Sequence, residues 1–325
     1  MLLKNRSDLR VLLWIAAAIG LLAVEWTYSH LVFYFFWLNC YFGICSGIFA
    51  HNHNHNPVFH NKALNRIYGH VLTFFYGYPT FVWIPTHNLN HHKHVNRPGD
   101  ATITWRWSDK HSLWVACCYF FASAYYQKGP IDEFIAKAKV SGGNLYKRIQ
   151  LEYAVWLGAW AAVWLLGVSL HGWRRGTVLW LLAVGLPALV SLWTIMFFNY
   201  EQHVHADAWS DTNHSRNFTG PVLNFLLFNN GFYGAHHESP TLHWSKLEAA
   251  HAEFASRVHP ALNQRNLPIY FFRQFVLAPF WPGFGTLQIG QHPQVQVGVA
   301  VEAIDPVIGT VALVPRQSTY VNGPG

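Results

Sequence analysis

Four apolar runs, arranged as two close pairs, constrain this chain more than any other feature. Leu9 to Val24 and Leu31 to Ala50 form the first pair, and Tyr153 to Leu170 and Thr177 to Phe198 form the second. A hydrocarbon core of about 30 Å takes about 20 helical residues to cross. Every backbone amide inside it must be paired within the segment, so runs of this length read as membrane helices. Only Glu25 to His30 separates the first pair and the HGWRRG segment the second. Each pair therefore predicts a helical hairpin that returns to the side on which it started.

Composition supports a membrane protein: 52% of residues are hydrophobic and 11% charged, against about 25% charged in soluble domains. Mean hydropathy is nevertheless only +0.12, so long stretches rich in His, Asn and Gly must lie in water. Lys4, Arg6 and Arg10 precede an apolar run as in a signal peptide, but apolar character resumes through Ala50 without a cleavage-type gap, which predicts a retained anchor. Cys40, Cys45, Cys117 and Cys118 all sit in apolar segments without a CxxC pair. They read as buried thiols rather than as a disulfide or iron–sulfur framework.

Shorter apolar segments complete the plan. His70 to Ile84, broken by Gly77 and Pro79 and ended by Pro85, and Ser112 to Tyr126 are too short to span and read as interfacial or re-entrant helices. Tyr270 to Phe284, interrupted by Arg273, Pro279 and Pro282, reads likewise. The expected fold is all-α and multi-pass, with two transmembrane hairpins and a His-rich helical cap in residues 1–290. Residues 291–325 lack helical periodicity and read as a loosely ordered tail.

Histidines cluster at or just beyond the apolar runs: HNHNH (His51, His53, His55), HNLNHHKH (His87, His91, His92, His94), EQHVH (His203, His205) and AHHESPTLH (His236, His237, His243). In a helix continuing past Ala50, His51 and His55 share a face and His53 points away. His87 and His91 repeat the i, i+4 relation, and His92 is turned by about 100°, so adjacent imidazoles can reach two different ions. Asn199 and His203 share a face at the end of the last run, and His236 with His237 forms a second adjacent pair. The candidate ligand set is His51, His55, His87, His91, His92, His203, His236 and His237, while His60, His111, His171 and His292 are not expected to bind metal. That is too many imidazoles for one tetrahedral zinc and suits two octahedral-type irons with open positions.

The hairpin plan puts every cluster on one face of the membrane. Of the 22 Lys and Arg residues, all except Arg174 and Arg175 fall on that face, which the positive-inside rule makes cytoplasmic. Nothing in the sequence accounts for that arginine pair.

The boxes HNHNH, HNLNHH, NYEQH (Asn199 to His203) and YGAHH (Tyr233 to His237), with Asn96, Gly99 and Asp100 after the second, resemble those of the membrane fatty acid desaturase and hydroxylase superfamily. The resemblance runs from the first hairpin to about His243. It implies a di-iron centre using O2 as co-substrate to oxidise a lipid acyl chain, with desaturation the first reading and hydroxylation or oxidative decarboxylation to 1-alkenes the alternatives. One departure stands out: Tyr233 occupies a position where the family carries His or Gln. Asn199, directly or through water, or His243 is then a candidate for the missing ligand, with His205 weaker. The chain has no cluster, flavin or nicotinamide motif of its own. An external donor such as a ferredoxin with its reductase is implied, docking on the basic cytoplasmic face; membrane lipids are further partners, and no nucleic acid is expected. A His-rich metal transporter or sensor is a different class, disfavoured because the middles of the spans carry no acidic or His residue. A haem protein with paired axial histidines is a third, which a Soret band would reveal.

Overall fold

The first apolar pair folds into a hairpin whose turn is tighter than the sequence suggests. In the computed structural model, which describes residues 2–290, helix α1 (Asp8–Thr27) and helix α2 (Val32–His55) are joined through Tyr28–Leu31 alone. Glu25, expected in the turn, is buried inside α1 and accepts a 2.8 Å hydrogen bond from Asn39 Nδ2 of α2. Pairing offsets the cost of burying a carboxyl group, so the helix continues for a further half turn. The tail expected at 291–325 lies outside the described residues.

Helix α3 (Lys62–Tyr76) is amphipathic, capped by Asn61 Oδ1 accepting from the amides of Ala63 and Leu64, and packed against α2. It stops at Gly77, whose φ of +86° suits a residue without a Cβ. Pro85, expected to end an apolar helix, instead lies in the first turn of a new one, Ile84–His91. Proline has no N–H to lose there. Ser112–Tyr126, expected to be a short interfacial piece, is the first half of α4 (Leu113–Val140), which continues past Pro130.

The second apolar pair forms α5 (Asn144–His171) and α6 (Trp173–His203), the latter widened at Leu181–Gly185. A Cβ on Gly176 would lie 2.4 Å from the Gly167 carbonyl, so the hairpin closes at this point only because residue 176 is glycine. The helices α1, α2, α5 and α6 are long and apolar enough to cross a membrane. Their two turns lie side by side: His171 Nε2 donates to the Trp26 carbonyl at 2.7 Å and Trp26 Nε1 to that of Val163 at 3.2 Å. Arg174 and Arg175 sit exposed at this end. The carboxyl ends of α2 and α6, carrying the histidine boxes, therefore meet at the opposite end. Along their length α2 and α6 pack closely, with Ser191 Oγ donating to the Gly43 carbonyl at 2.7 Å.

Beyond α6 the chain returns over this end through α7 (Tyr233–Glu238) and α8 (Leu247–Phe254). The start of α1 holds this return in place. Asp8 Oδ1 accepts from His243 Nε2 at 2.9 Å and Trp244 Nε1 at 3.0 Å. The Arg10 guanidinium lies over the rings of Phe225 and Phe228, at 4.0 and 4.3 Å, and donates to the Phe225 carbonyl. A two-residue parallel bridge, Asn217–Phe218 with Asn263–Gln264, is the sheet structure among the described residues.

Candidate metal centre

The eight histidines singled out from the sequence converge at the joined ends of α2 and α6 as two groups. His51, His55, His87, His92 and His236 form one; His91, His203 and His237 form the other. Because α2 stays helical to His55, His51 and His55 share a face, with ring centroids 5.1 Å apart. His53 points away, its Nδ1 accepting from the Val58 amide at 3.3 Å.

The second box departs from the expected spacing. Ile84–His91 is a π-helix, and the His92 amide bonds to the His87 carbonyl five residues back. This wider turn brings His87 into register with His92, their Nε2 atoms 3.0 Å apart, and sends His91 to the other group. In an α-helix His87 and His91 would have pointed the same way. The expectation that neighbouring His91 and His92 diverge agrees with the observed grouping; the i, i+4 pairing of His87 with His91 does not.

His243 lies outside both groups. His243 is turned toward Asp8, and Asn199 bridges two phenols, donating to Tyr119 at 3.0 Å and accepting from Tyr233 at 3.3 Å. His205 is held by Thr286 and the Asp109 carbonyl, and His111 by Glu201 and Thr286. His60 and His171 are likewise in neither group, and His292 lies outside the described residues.

The spacing of the nitrogens tests whether metal fits. Two imidazole nitrogens bound about 2.1 Å from one ion lie about 3.0 Å apart at a right angle and about 3.4 Å apart at the tetrahedral angle. Neighbouring Nε2 atoms in the five-histidine group are 2.8 Å (His51, His87) and 3.0 Å (His51 or His92 with His236, and His87 with His92) apart, with His87 and His236 at 3.4 Å. His91 and His203 are 3.1 Å apart in the second. Most distances match right-angle, octahedral-type neighbours. His55 Nε2 and both ring nitrogens of His237 are buried without a hydrogen-bond partner. Orphaned lone pairs at such a site fit a cation.

The histidines are also poised chemically. Burial, reinforced by the neighbouring imidazoles, pushes His87, His236 and His237 well below the usual imidazole value and His92 down to about 2. They are neutral near pH 7, the state that binds metal.

Residues outside the boxes set ring orientation. His91 Nδ1 donates to Asp100 Oδ2 at 2.8 Å, which leaves Nε2 with its lone pair facing His203. Burial alone would raise the Asp100 carboxyl, but the nearby His91 and hydrogen bonds from His91 and Thr102 hold it below the usual range. Asp100 is positioned by the VNRPGD loop, in which Gly99 adopts φ +100° with the His94 ring against it. His203 Nδ1 donates to the His214 carbonyl at 3.0 Å, fixing its tautomer in the same way. Sequence reasoning noted Asp100 without giving it a role and passed over Thr102 and the His214 carbonyl. The Asp100 signal was a lone acid at a Gly-Asp turn nine residues after His91.

A cavity of about 70 Å³ opens against both groups, lined by His51, His87 and His91 and, among its apolar walls, by Trp83, Met196 and Phe198. The profile of a family described as fatty acid desaturase matches residues 26–273 of the chain. No curated protein and no solved structure matched it.

Proposed function

Because this chain belongs to the fatty acid desaturase family, we propose that it is an O2-dependent di-iron lipid oxidoreductase that introduces a carbon–carbon double bond into a fatty acyl chain. The observation that carries this reading is the pair of buried histidine groups at one end of four apolar helices, against an apolar cavity. One iron would be held by His51, His55, His87, His92 and His236 and the other by His91, His203 and His237; when bound, they supply the activation of O2 needed to attack an unactivated C–H bond.

The chain's own residues do the rest. Asp100 and the His214 carbonyl hold His91 and His203 in the ligand tautomer, as outer partners of metal-bound histidine do. The cavity walls align an extended acyl segment and exclude water. A CH2–CH2 unit loses two hydrogens while O2 takes up two electrons and two protons from outside to give two waters. Those electrons need a separate carrier, of ferredoxin type with its reductase, and the positive-inside rule puts the centre and the docking face on the cytoplasmic side. A cation transporter fits less well, because the histidines gather at the helix ends and not along a path through the spans.

The test is expression with candidate acyl substrates, iron counting and product mass spectrometry. Two irons per chain and an O2-dependent product two hydrogens lighter support the reading. A product one oxygen heavier, or a terminal alkene one carbon shorter, replaces desaturation by hydroxylation or decarboxylation. A protein that binds zinc alone and consumes no O2 removes it.

A further inference from the structure

The two groups are unequal, five imidazoles against three, and the side chain that fills the gap is Tyr233. It opens α7 one turn before His236 and His237, is buried, and packs its ring 4.6 Å from that of His237 and 5.2 Å from that of His203. Its hydroxyl oxygen is 3.1 Å from His91 Nε2, the same spacing as His91 Nε2 to His203 Nε2.

The surrounding hydrogen bonds give the Tyr233 proton a partner other than His91. Tyr119 must donate to the Thr102 carbonyl, 2.5 Å away, so its oxygen accepts from Asn199 Nδ2 at 3.0 Å. That orientation turns Asn199 Oδ1 toward Tyr233, whose O–H donates to it at 3.3 Å. The Tyr233 hydroxyl can therefore give its proton either to Asn199 Oδ1 or to His91 Nε2, while the proton on His91 goes to Asp100 through Nδ1. With the phenol proton on Asn199, the phenol oxygen and His91 Nε2 both turn lone pairs to the space between them. That arrangement suits a cation shared by the two atoms, beside His237, whose ring nitrogens are both buried without a hydrogen-bond partner.

We propose that Tyr233 is a metal ligand, contributing an oxygen donor to the ion held by His91, His203 and His237. The inference rests on the di-iron reading above and makes the second site a mixed nitrogen and oxygen set, while the first is all imidazole. Asn199 is then a positioning residue that holds the phenol rather than a ligand itself. Tyr233 would hold the ion through its phenol oxygen, as phenolate on a ferric ion, with Asn199 Oδ1 beside it as the acceptor of the phenol proton. Tyrosine oxygen is an established ligand for ferric iron.

Phenolate bound to ferric iron gives a visible charge-transfer band that imidazole ligands do not. The iron-loaded, air-oxidised protein should show this band with two irons per chain, and metal-stripped protein should not. Tyr233→Phe should lose the band, Tyr233→His should lose it while keeping two irons, and Tyr119→Phe should keep it. Two irons without the band in the unsubstituted protein, or a band that survives Tyr233→Phe, overturns the assignment and leaves the di-iron reading standing. A chain that takes up no iron overturns both.

Discussion

The carboxylate of Asp100 fixes the tautomer of His91 through a 2.8 Å hydrogen bond, and its second oxygen is tied to Thr102 by two 2.7 Å bonds. Loss of an outer-shell partner of this kind costs about 10–100-fold in metal affinity. Asp100→Asn should therefore release iron at lower chelator concentration than the unsubstituted protein, by a factor in that range. His243→Ala should not, because the His243 ring faces Asp8 and stands apart from both groups. Graded chelator competition followed by iron counting reads both variants. Equal retention by Asp100→Asn would show that His91 is oriented by something else, and iron loss in His243→Ala would place that residue back among the ligands.

Among the elements, the π-helical turn Ile84–His91 has the largest consequence, since one extra residue per turn distributes His87 and His92 to one group and His91 to the other. Leu89 within it is exposed, so its side chain carries little packing. Deleting Leu89 removes the extra residue and puts His87 and His92 four apart, the spacing that keeps them on one face of an ordinary α-helix. Inserting an alanine after Leu89 instead turns His91 and His92 by about 100° relative to His87, so the insertion should lower bound iron below two per chain, whereas the deletion and Leu89→Ala should leave it at two. Full iron loading of the insertion variant would mean that the register of this turn does not decide the grouping.

For the whole molecule, the joined turns at one end and the histidine groups at the other give the protein a polarity across the membrane. The α4–α5 corner lies at the histidine end, since α5 runs from there to the turn at His171, and it exposes Lys139, Lys147 and Arg148, while Lys137 is paired with Glu133. An acidic electron donor steered to this corner should associate more slowly as salt rises. Reversing Lys139, Lys147 and Arg148 to Glu should raise the apparent KM for purified donor and leave kcat at saturating donor unchanged. Donor KM insensitive to both salt and charge reversal would move the docking site elsewhere.

The sequence by itself determined the four apolar helices, their pairing into hairpins and the histidines that meet at one end, because membrane thickness and backbone pairing leave a long apolar run few alternatives. It also carried the helical continuation to His55, since nothing before Pro57 interrupts the period. Tertiary structure decided how the histidines divide. The π-turn is a local hydrogen-bond choice that an α-period reading of HNLNHH does not reveal, and it separates His87 from His91. The roles of Asp100, Asn199 and Tyr233 likewise depend on residues distant in the chain. Asn199 has no readable orientation until Tyr119 and Tyr233 are brought to either side of it, and an oxygen donor at position 233 acquires meaning only where it faces the lone pair of His91. Hydropathy is additive along a sequence and can be read from it. The direction of a buried hydrogen bond depends on all its partners at once and becomes fixed only when the fold has assembled them.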